Sequence, residues 1–262
     1  MIEGYEQFAF RYDEIEHTVY RAGAGPAVIV IHEIPGITPE VLRFAERVRG
    51  VGFCVYLPHL FGIPGKPVSG WYVARSFLGA CVSREFKVLA RNEASPVTNW
   101  LRALAREAHR RCGGPGVGAL GMCLTGNFAL AMMIDPAVQA PVLSQPSLPL
   151  PISKAHRRAL HLAPQQLEVV KDRVRAGCPV LGLRFTRDLA CPAERFQRLR
   201  EELGEGFEAI EIDSSPGNPH GISPRAHSVL TLDLVDREGH PTRQALERVL
   251  EFFRSRLQIA SR

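Results

Sequence analysis

Short apolar runs alternate with longer segments of helical periodicity along most of this 262-residue chain. The clearest run is 27–32 (Ala-Val-Ile-Val-Ile-His), which is β-branched and lacks polar alternation. Such a run is typical of a strand buried on both faces of a parallel sheet. Runs of the same character cover residues 53–57, 117–121, 142–144, 180–185 and 207–212. These six segments are predicted to be strands.

Helical patterns separate the predicted strands, over residues 39–51, 83–109, 124–134, 164–176, 192–203 and 241–256. Four of them open with proline, which suits a first helical turn because the N–H that proline lacks would be unpaired there. This alternation predicts an α/β fold with a mostly parallel, doubly wound sheet and helices on both faces. Residues 58–67, 141–151 and 214–224 are predicted to be loops at the sheet edge. No repeat or low-complexity segment divides the chain, so residues 1–262 are predicted to form one domain.

Composition excludes several classes of protein. With 45% hydrophobic and 23% charged residues, the chain is globular and can bury a large core. Its net charge of +5 comes without a nucleic-acid-binding module, so no nucleic-acid partner is expected. No apolar window approaches the roughly 20 residues of a membrane span, and the N-terminus lacks the pattern of a secretory signal. Six cysteines without a C-x-x-C pair predict a cytoplasmic, reduced protein.

Cys123 lies at the junction between a predicted strand and a predicted helix. A nucleophile on such a sharp turn is typical of α/β-hydrolases, where it is usually a serine. Gly121 fills the small position two residues before it, whereas Thr125 fills the position two residues after it and Gly126 follows. The alternative is a packed core cysteine, because free cysteine is among the most buried residue types. A strained turn is an unusual place for a filler residue, which favours a nucleophile.

A cysteine nucleophile needs a base and an acid that orients the base. In α/β-hydrolases the acid follows a strand beyond the nucleophile, and the histidine comes last. Asp188 directly follows the predicted strand 180–185 and is the candidate acid. Asp213, at the end of the next strand, is the competitor, and Asp172 is weaker because it lies in a helical pattern.

Two histidines, His220 and His227, follow the last predicted strand. His220 lies in Pro-Gly-Asn-Pro-His-Gly, a loop sequence in which a histidine is usually exposed. His227 opens His-Ser-Val-Leu-Thr-Leu, whose apolar residues can pack beneath a site and hold the ring. His227 is therefore the favoured base.

An acyl-transfer site also needs two backbone N–H donors for the oxyanion. One is the amide after the nucleophile, Leu124, and the other follows an early strand, where Ile34 is the natural donor. Glu33 precedes Ile34 and is either a solvated carboxylate or a group aimed at the cysteine. His32-Glu33 does not continue as H-E-x-x-H, because position 36 is glycine, so no metal site is predicted.

Four features of the chain together resemble the dienelactone hydrolase family. They are the motif His-Glu-Ile-Pro-Gly, the motif Gly-Met-Cys-Leu-Thr-Gly, Asp188 after its strand, and the pair His227-Ser228. The resemblance implies an α/β-hydrolase fold and a triad of Cys123, His227 and Asp188. It also implies that Glu33 contacts the resting cysteine and helps to deprotonate it once substrate binds. The family's type substrate is an unsaturated lactone bearing a carboxylate held by arginines. Arg84 lies where one such arginine is expected.

The second arginine expected after the histidine is missing, although Arg225 precedes it. The main hypothesis is therefore a hydrolase of a small ester or lactone that acts through an acyl-thioester, needs no cofactor or metal and is a monomer or homodimer. The alternatives are a non-catalytic ligand-binding protein of the same fold and a redox sensor using Cys123. Neither a nucleic-acid nor a membrane partner is expected.

Overall fold

A computed structural model describes residues 2–82, 86 and 89–257 of the chain. Its described part contains one eight-stranded sheet in the order β1-β2-β4-β3-β5-β6-β7-β8. The strands are β1 (Glu6–Tyr12), β2 (Ile15–Ala22), β3 (Ala27–Ile31), β4 (Cys54–His59), β5 (Val117–Met122), β6 (Val138–Ser144), β7 (Val180–Phe185) and β8 (Phe207–Ile212).

Strands β3 to β8 run parallel, and β2 joins them by pairing antiparallel with β4. β1 forms an antiparallel hairpin with β2 in which Tyr12 faces Ile15. The central strands β3 and β5 are buried along their whole length, as their unbroken apolar sequences require. The carboxyl ends of the parallel strands meet at one edge of the sheet, where ligand sites of this architecture form.

Helices cover both faces of the sheet, so that two apolar cores form. The helices are α1 (Pro39–Gly50), α2 (Gly70–Val82), α3 (Val97–Cys112), α4 (Phe128–Met132), α5 (Lys154–Arg158), α6 (Pro164–Arg175), α7 (Ala193–Leu203) and α8 (Pro241–Leu257). α1 and α8 pack on one face through side chains such as Phe44 and Phe253. α3, α4, α6 and α7 pack on the other, where Trp100 and Phe128 are fully buried. Among the described helices, none is long and apolar enough to cross a membrane.

The six predicted strands and the mostly parallel, doubly wound α/β sheet are confirmed, with β6 beginning four residues earlier than predicted. The hairpin of β1 and β2 was missed. The single helix predicted over 83–109 is wrong, because α3 begins only at Val97, directly after Pro96. Proline has no N–H to donate and disfavours a helical conformation in the residue before it, so the helix begins after it.

Candidate active site

Cys123 lies on the turn that joins β5 to the helical segment after it. Its backbone has a φ of 54°, in the left-handed region that a residue with a side chain adopts at a cost. The turn is tight: a Cβ on Gly121 would lie 2.1 Å from the carbonyl oxygen of Thr125. Glycine is therefore required two residues before Cys123. The strained turn leaves the Cys123 side chain partly exposed at the carboxyl end of the sheet.

Thr125 and Gly126 account for the departure from the usual spacing of small residues. The Thr125 hydroxyl accepts a hydrogen bond from the Met122 amide at 3.0 Å and lies 3.0 Å from the Ile31 carbonyl oxygen, to which it can donate. It thereby ties the turn to the end of β3. A Cβ on Gly126 would lie 2.4 Å from the Cα of Pro146, so the close approach of the chain after β6 requires glycine here.

Asp188 and His227 are brought together although they lie far apart in the sequence. The Nδ1 of His227 is 2.7 Å from Oδ2 of Asp188. The other carboxylate oxygen accepts hydrogen bonds from the amides of Ala190 at 2.9 Å and Cys191 at 3.2 Å. Because Asp188 is 7% exposed and held at both oxygens, its orientation toward the imidazole is fixed.

The His227 ring also interacts with Cys123. Burial lowers the pKa of His227, but its interaction with Cys123 and its hydrogen bonds to Asp188 and Cys123 outweigh burial and raise that pKa well above 6.5. The backbone of the histidine is also anchored, since Asp233 Oδ2 accepts hydrogen bonds from the amides of His227 at 2.8 Å and Ser228 at 2.9 Å.

The competing candidates lie away from this pair. Asp213 is exposed, and its carboxylate accepts a hydrogen bond from the Ser215 amide at 2.9 Å. His220 is exposed, with its ring centre 5.4 Å from that of His240. Asp172 forms an exposed ion pair with Arg175 on α6.

The two candidate oxyanion donors flank the cysteine in the fold. Leu124 directly follows Cys123, and Ile34 lies on the loop after β3, the strand that pairs with β5. Within the described residues, the loop amide of Ile34 has no backbone hydrogen-bond acceptor. Burial lowers the pKa of His32 to about 3, so its ring is neutral. That ring fixes the start of the Ile34 loop, with Nδ1 3.1 Å from the Glu33 carbonyl and Nε2 accepting from the Leu60 amide at 3.1 Å.

Glu33 is buried beneath the segment that carries His227. Its carboxylate accepts hydrogen bonds from Ser228 Oγ at 2.7 Å, Gln145 Nε2 at 3.2 Å and the Thr231 hydroxyl. Burial raises the pKa of Glu33, and these hydrogen bonds and the charge of His227 oppose that rise. The sequence led us to expect that Glu33 contacts the resting cysteine. In the described structure its carboxylate instead accepts hydrogen bonds from these three side chains.

Sequence reasoning missed Gln145 and Arg195. Gln145 is fully buried with a φ of 34° and joins Glu33 to the segment after His227, since its Oε1 accepts from the Val229 amide at 3.4 Å. Arg195 is also fully buried, and its guanidinium donates to four backbone carbonyl groups between residues 146 and 159, including that of Pro146 at 2.7 Å. No sequence motif predicts a role for either residue, because their hydrogen-bond partners lie in segments that are distant in the sequence.

A cavity of about 440 Å³ opens beside the histidine. It is lined by Asp188, His227, Arg187 and Arg225, together with Leu189, Ala190 and Pro224. Two cationic side chains thus face the same space as the imidazole. Arg84, the arginine expected to hold a carboxylate, lies outside the described residues. Across the described ranges, no group of three or more metal-binding side chains converges on a point.

The raised pKa of His227 predicts a pH-dependent contribution to stability. The unfolded pKa is about 6.5, so the folded protein binds the proton more tightly. The stabilisation is therefore fully present below about pH 6.5 and is lost as pH rises through the folded pKa. We expect urea unfolding to show a free-energy gap between wild type and His227→Gln that is largest below about pH 6.5 and shrinks as pH rises above it. The exposed control His220→Gln should show no such trend, and a gap independent of pH would contradict the assignment.

Comparisons with known proteins bear on the family and the fold. The model of the dienelactone hydrolase family matches residues 17–257. A putative dienelactone hydrolase from Klebsiella pneumoniae has a TM-score of 0.62 and 17% identity, over 95% of this chain and 97% of that one. Dienelactone hydrolase from Anabaena variabilis has a TM-score of 0.61 and 17% identity, over 98% and 100%.

A dienelactone hydrolase-like promiscuous phosphotriesterase from metagenomic libraries is also similar, with a TM-score of 0.58 and 14% identity over 97% of this chain and 98% of that one. No curated protein matches the chain. At these identities the solved structures show a shared α/β-hydrolase fold, and the match to the family model covers most of the chain.

Proposed function

The chain belongs to the dienelactone hydrolase family, and from that premise we propose that it hydrolyses a small ester or lactone through Cys123, His227 and Asp188. The observation that carries the proposal is the 2.7 Å contact between His227 and Asp188, made by an imidazole that also hydrogen-bonds the strained Cys123. A buried acid, an oriented base and a nucleophile on a sharp turn are the parts that acyl transfer requires.

In the first half-reaction the Cys123 thiolate attacks the carbonyl carbon. The oxyanion that forms accepts hydrogen bonds from the Leu124 and Ile34 amides. In the described structure the Ile34 amide has no backbone acceptor of its own. The bond from carbon to the alcohol oxygen then breaks, and the leaving oxygen takes the proton from His227. The products are an acyl-thioester on Cys123 and the released alcohol, or in a lactone the free hydroxyl end of the same molecule.

In the second half-reaction His227 acts as general base toward water. It takes one proton as the water oxygen bonds to the acyl carbon, and the bond from carbon to sulfur breaks to return the thiolate. Asp188 keeps the ring oriented through Nδ1 in both steps. Glu33 acts as a positioning residue, because it holds Ser228 and Thr231 in the segment that carries His227.

A covalent intermediate on Cys123 tests the proposal directly. Rapid acid quenching during turnover of a chromogenic acetate ester should add one acetyl group to the chain, and peptide mass spectrometry should locate it on Cys123. Neutral hydroxylamine should remove it, because thioesters are cleaved far more readily than oxygen esters. The matched control Cys112→Ser should acetylate like the wild type. An acetyl group on a serine, or one resistant to hydroxylamine, would overturn the cysteine mechanism.

The cavity beside His227 predicts a preference for acidic substrates. Because Arg225 lines it, a carboxylate on the substrate can form a charge-assisted hydrogen bond there. We expect Arg225→Ala to raise KM for a carboxylate-bearing ester about tenfold and to leave turnover of a neutral ester of equal size unchanged. The control is Arg43→Ala, which removes an exposed arginine of α1. Equal KM values for acidic and neutral esters in the wild type would exclude the anchor.

The alternative of a non-catalytic ligand-binding protein makes an opposite prediction. Such a protein would bind an ester or lactone without releasing the alcohol. Saturable binding by the folded wild type, with no acyl-enzyme and no alcohol released, would favour that alternative. The buried pairing of Asp188 with His227 favours the enzyme, because a binding protein has no need of an oriented base.

A further inference from the structure

A second cluster of reactive side chains lies at the edge of the sheet opposite the candidate active site. Cys54 is the first residue of β4, and Tyr56 lies two residues on and therefore on the same face of that strand. Cys112 is the last residue of α3, which packs on this face. β4 and β5 both run parallel to β3, so the amino end of β4 and the turn at Cys123 lie at opposite edges.

The contacts within this cluster are close. The Tyr56 hydroxyl lies 3.6 Å from Cys112 Sγ. Cys54 and Cys112 pack in the same core cluster, and each thiol shifts the pKa of the other. Arg21 faces Tyr56 directly across the pairing of β2 with β4. Its Cζ is 5.8 Å from the centre of the tyrosine ring, and its buried Nε has no hydrogen-bond partner in the described structure.

We propose that Cys54 and Cys112 form an oxidisable dithiol, in which Cys112 reacts with hydrogen peroxide and Cys54 completes a disulfide. The two thiols differ in solvent exposure, as this reaction requires: the thiol that meets peroxide must be the more exposed one. Cys112 is partly exposed at the end of its helix, whereas Cys54 is fully buried beneath it. The proposal is independent of the hydrolase function, because it uses neither Cys123 nor the residues around it.

The charges around the pair favour ionisation of Cys112. The hydrogen bond from Cys54, followed by that from Tyr56 and the charge of Arg21, lowers the pKa of Cys112 to about 6 against the effect of burial. The same interaction and burial raise the pKa of Cys54, so that the pair favours ionisation of Cys112 over ionisation of Cys54. The other charged groups nearby are Glu6, which pairs with Arg21 at 3.1 Å, and Arg110, which lies near Tyr56.

The chemistry balances with hydrogen peroxide as the oxidant. The Cys112 thiolate attacks one peroxide oxygen, the O–O bond breaks, and the departing hydroxide takes a proton to give water and a sulfenic acid on Cys112. The sulfur of Cys54 then attacks the Cys112 sulfur and gives up its proton as the S–O bond breaks, which releases a second water. The two thiols lose two electrons and the peroxide gains them. A dithiol reductant reverses the change.

Peroxide treatment of the full-length protein tests the proposal, in the wild type and in a Cys123→Ala background that removes the candidate active-site thiol. We expect a mass loss of two hydrogen atoms and, after alkylation and digestion without reduction, a peptide pair joining Cys54 to Cys112. Dithiothreitol should restore the starting mass. Cys54→Ala should stop at a sulfenic acid on Cys112 that dimedone traps, and Cys112→Ala should form neither product.

The rate of alkylation of Cys112 provides a readout independent of disulfide formation. At about pH 6 we expect Cys112 to react with iodoacetamide about tenfold faster than an unperturbed thiol, after allowing for the lower nucleophilicity of a less basic thiolate. Arg21→Gln should move the midpoint of the pH–rate curve upward. A Cys112 rate equal to that of an unfolded peptide, or a disulfide that joins other cysteines, would overturn the proposal.

Discussion

Replacing Cys123 by alanine is expected to lower kcat for a short-chain ester by about a thousandfold or more, and replacing it by serine by about a hundredfold or more. Alanine removes the nucleophile but leaves the oxyanion amides and the pocket, so binding should persist. A serine hydroxyl is far less acidic than a thiol, whose reference pKa is about 8.5. A base whose pKa is raised by its interaction with Cys123 is poorly matched to a hydroxyl.

Neither substitution should alter the fold. The turn already holds a residue with a Cβ at a φ of 54°, so alanine and serine meet the same backbone strain as cysteine. The measurements are kcat and KM for the wild type and the two variants, and thermal unfolding checks that each protein is folded. Cys112→Ser is the matched control, because it also removes a partly exposed thiol. Full activity of the serine variant would show that the site is not tuned to sulfur, and residual activity of the alanine variant near the wild-type level would place the nucleophile elsewhere.

The parallel core of the sheet was predictable because its strands are buried on both faces. Residues 27–31 and 117–122 are short apolar runs without polar alternation, which is typical of a strand covered on two sides, and both strands are fully buried. The hairpin of β1 and β2 was not predicted, because its strands are partly exposed and mix polar with apolar residues. The prediction of one helix over 83–109 was wrong because the amphipathic pattern continues through Pro96, whereas the helical backbone begins only after it.

The order of the residues along the chain was enough to predict part of the candidate site. Order alone placed the acid and the base after their strands but left Asp213 and His220 as competitors. The structure separates them by burial, since Asp188 and His227 meet at the edge of the sheet while both competitors are exposed. The network around Glu33 could not be predicted, because its three donors come from two segments far from Glu33 in the sequence and follow no periodic pattern.

The same limit applies to the Cys54–Cys112 cluster. Each cysteine alone is an ordinary residue near the end of an apolar segment, with no spacing that suggests a pair. Their contact depends on which strand α3 crosses and on the register that sets Arg21 opposite Tyr56. Register and crossover are properties of the assembled sheet, so only the fold reveals that these thiols meet.

Replacing Asp188 by asparagine is expected to lower kcat about 10³- to 10⁴-fold with a much smaller effect on folding. One side-chain oxygen must still accept from the amides of Ala190 and Cys191, so the new NH₂ group faces Nδ1 of His227. That nitrogen must then be an acceptor, which places the ring proton on Nε2. An imidazole in this tautomer cannot take a proton from water on the side of Cys123, and it loses the carboxylate that helps to hold its pKa high.

Asp213→Asn is the matched control, because Asp213 also follows a strand of the parallel sheet but is exposed at its end. Its kcat should stay within about twofold of the wild type, as expected for a surface change away from the site. Titration of the His227 ring by NMR should show a lower pKa in Asp188→Asn and no change in Asp213→Asn. If the two variants lost activity equally, or if Asp213→Asn lost more, Asp188 would not be the acid of the triad. An unchanged His227 pKa in Asp188→Asn would instead show that the 2.7 Å contact has no electrostatic effect on the base.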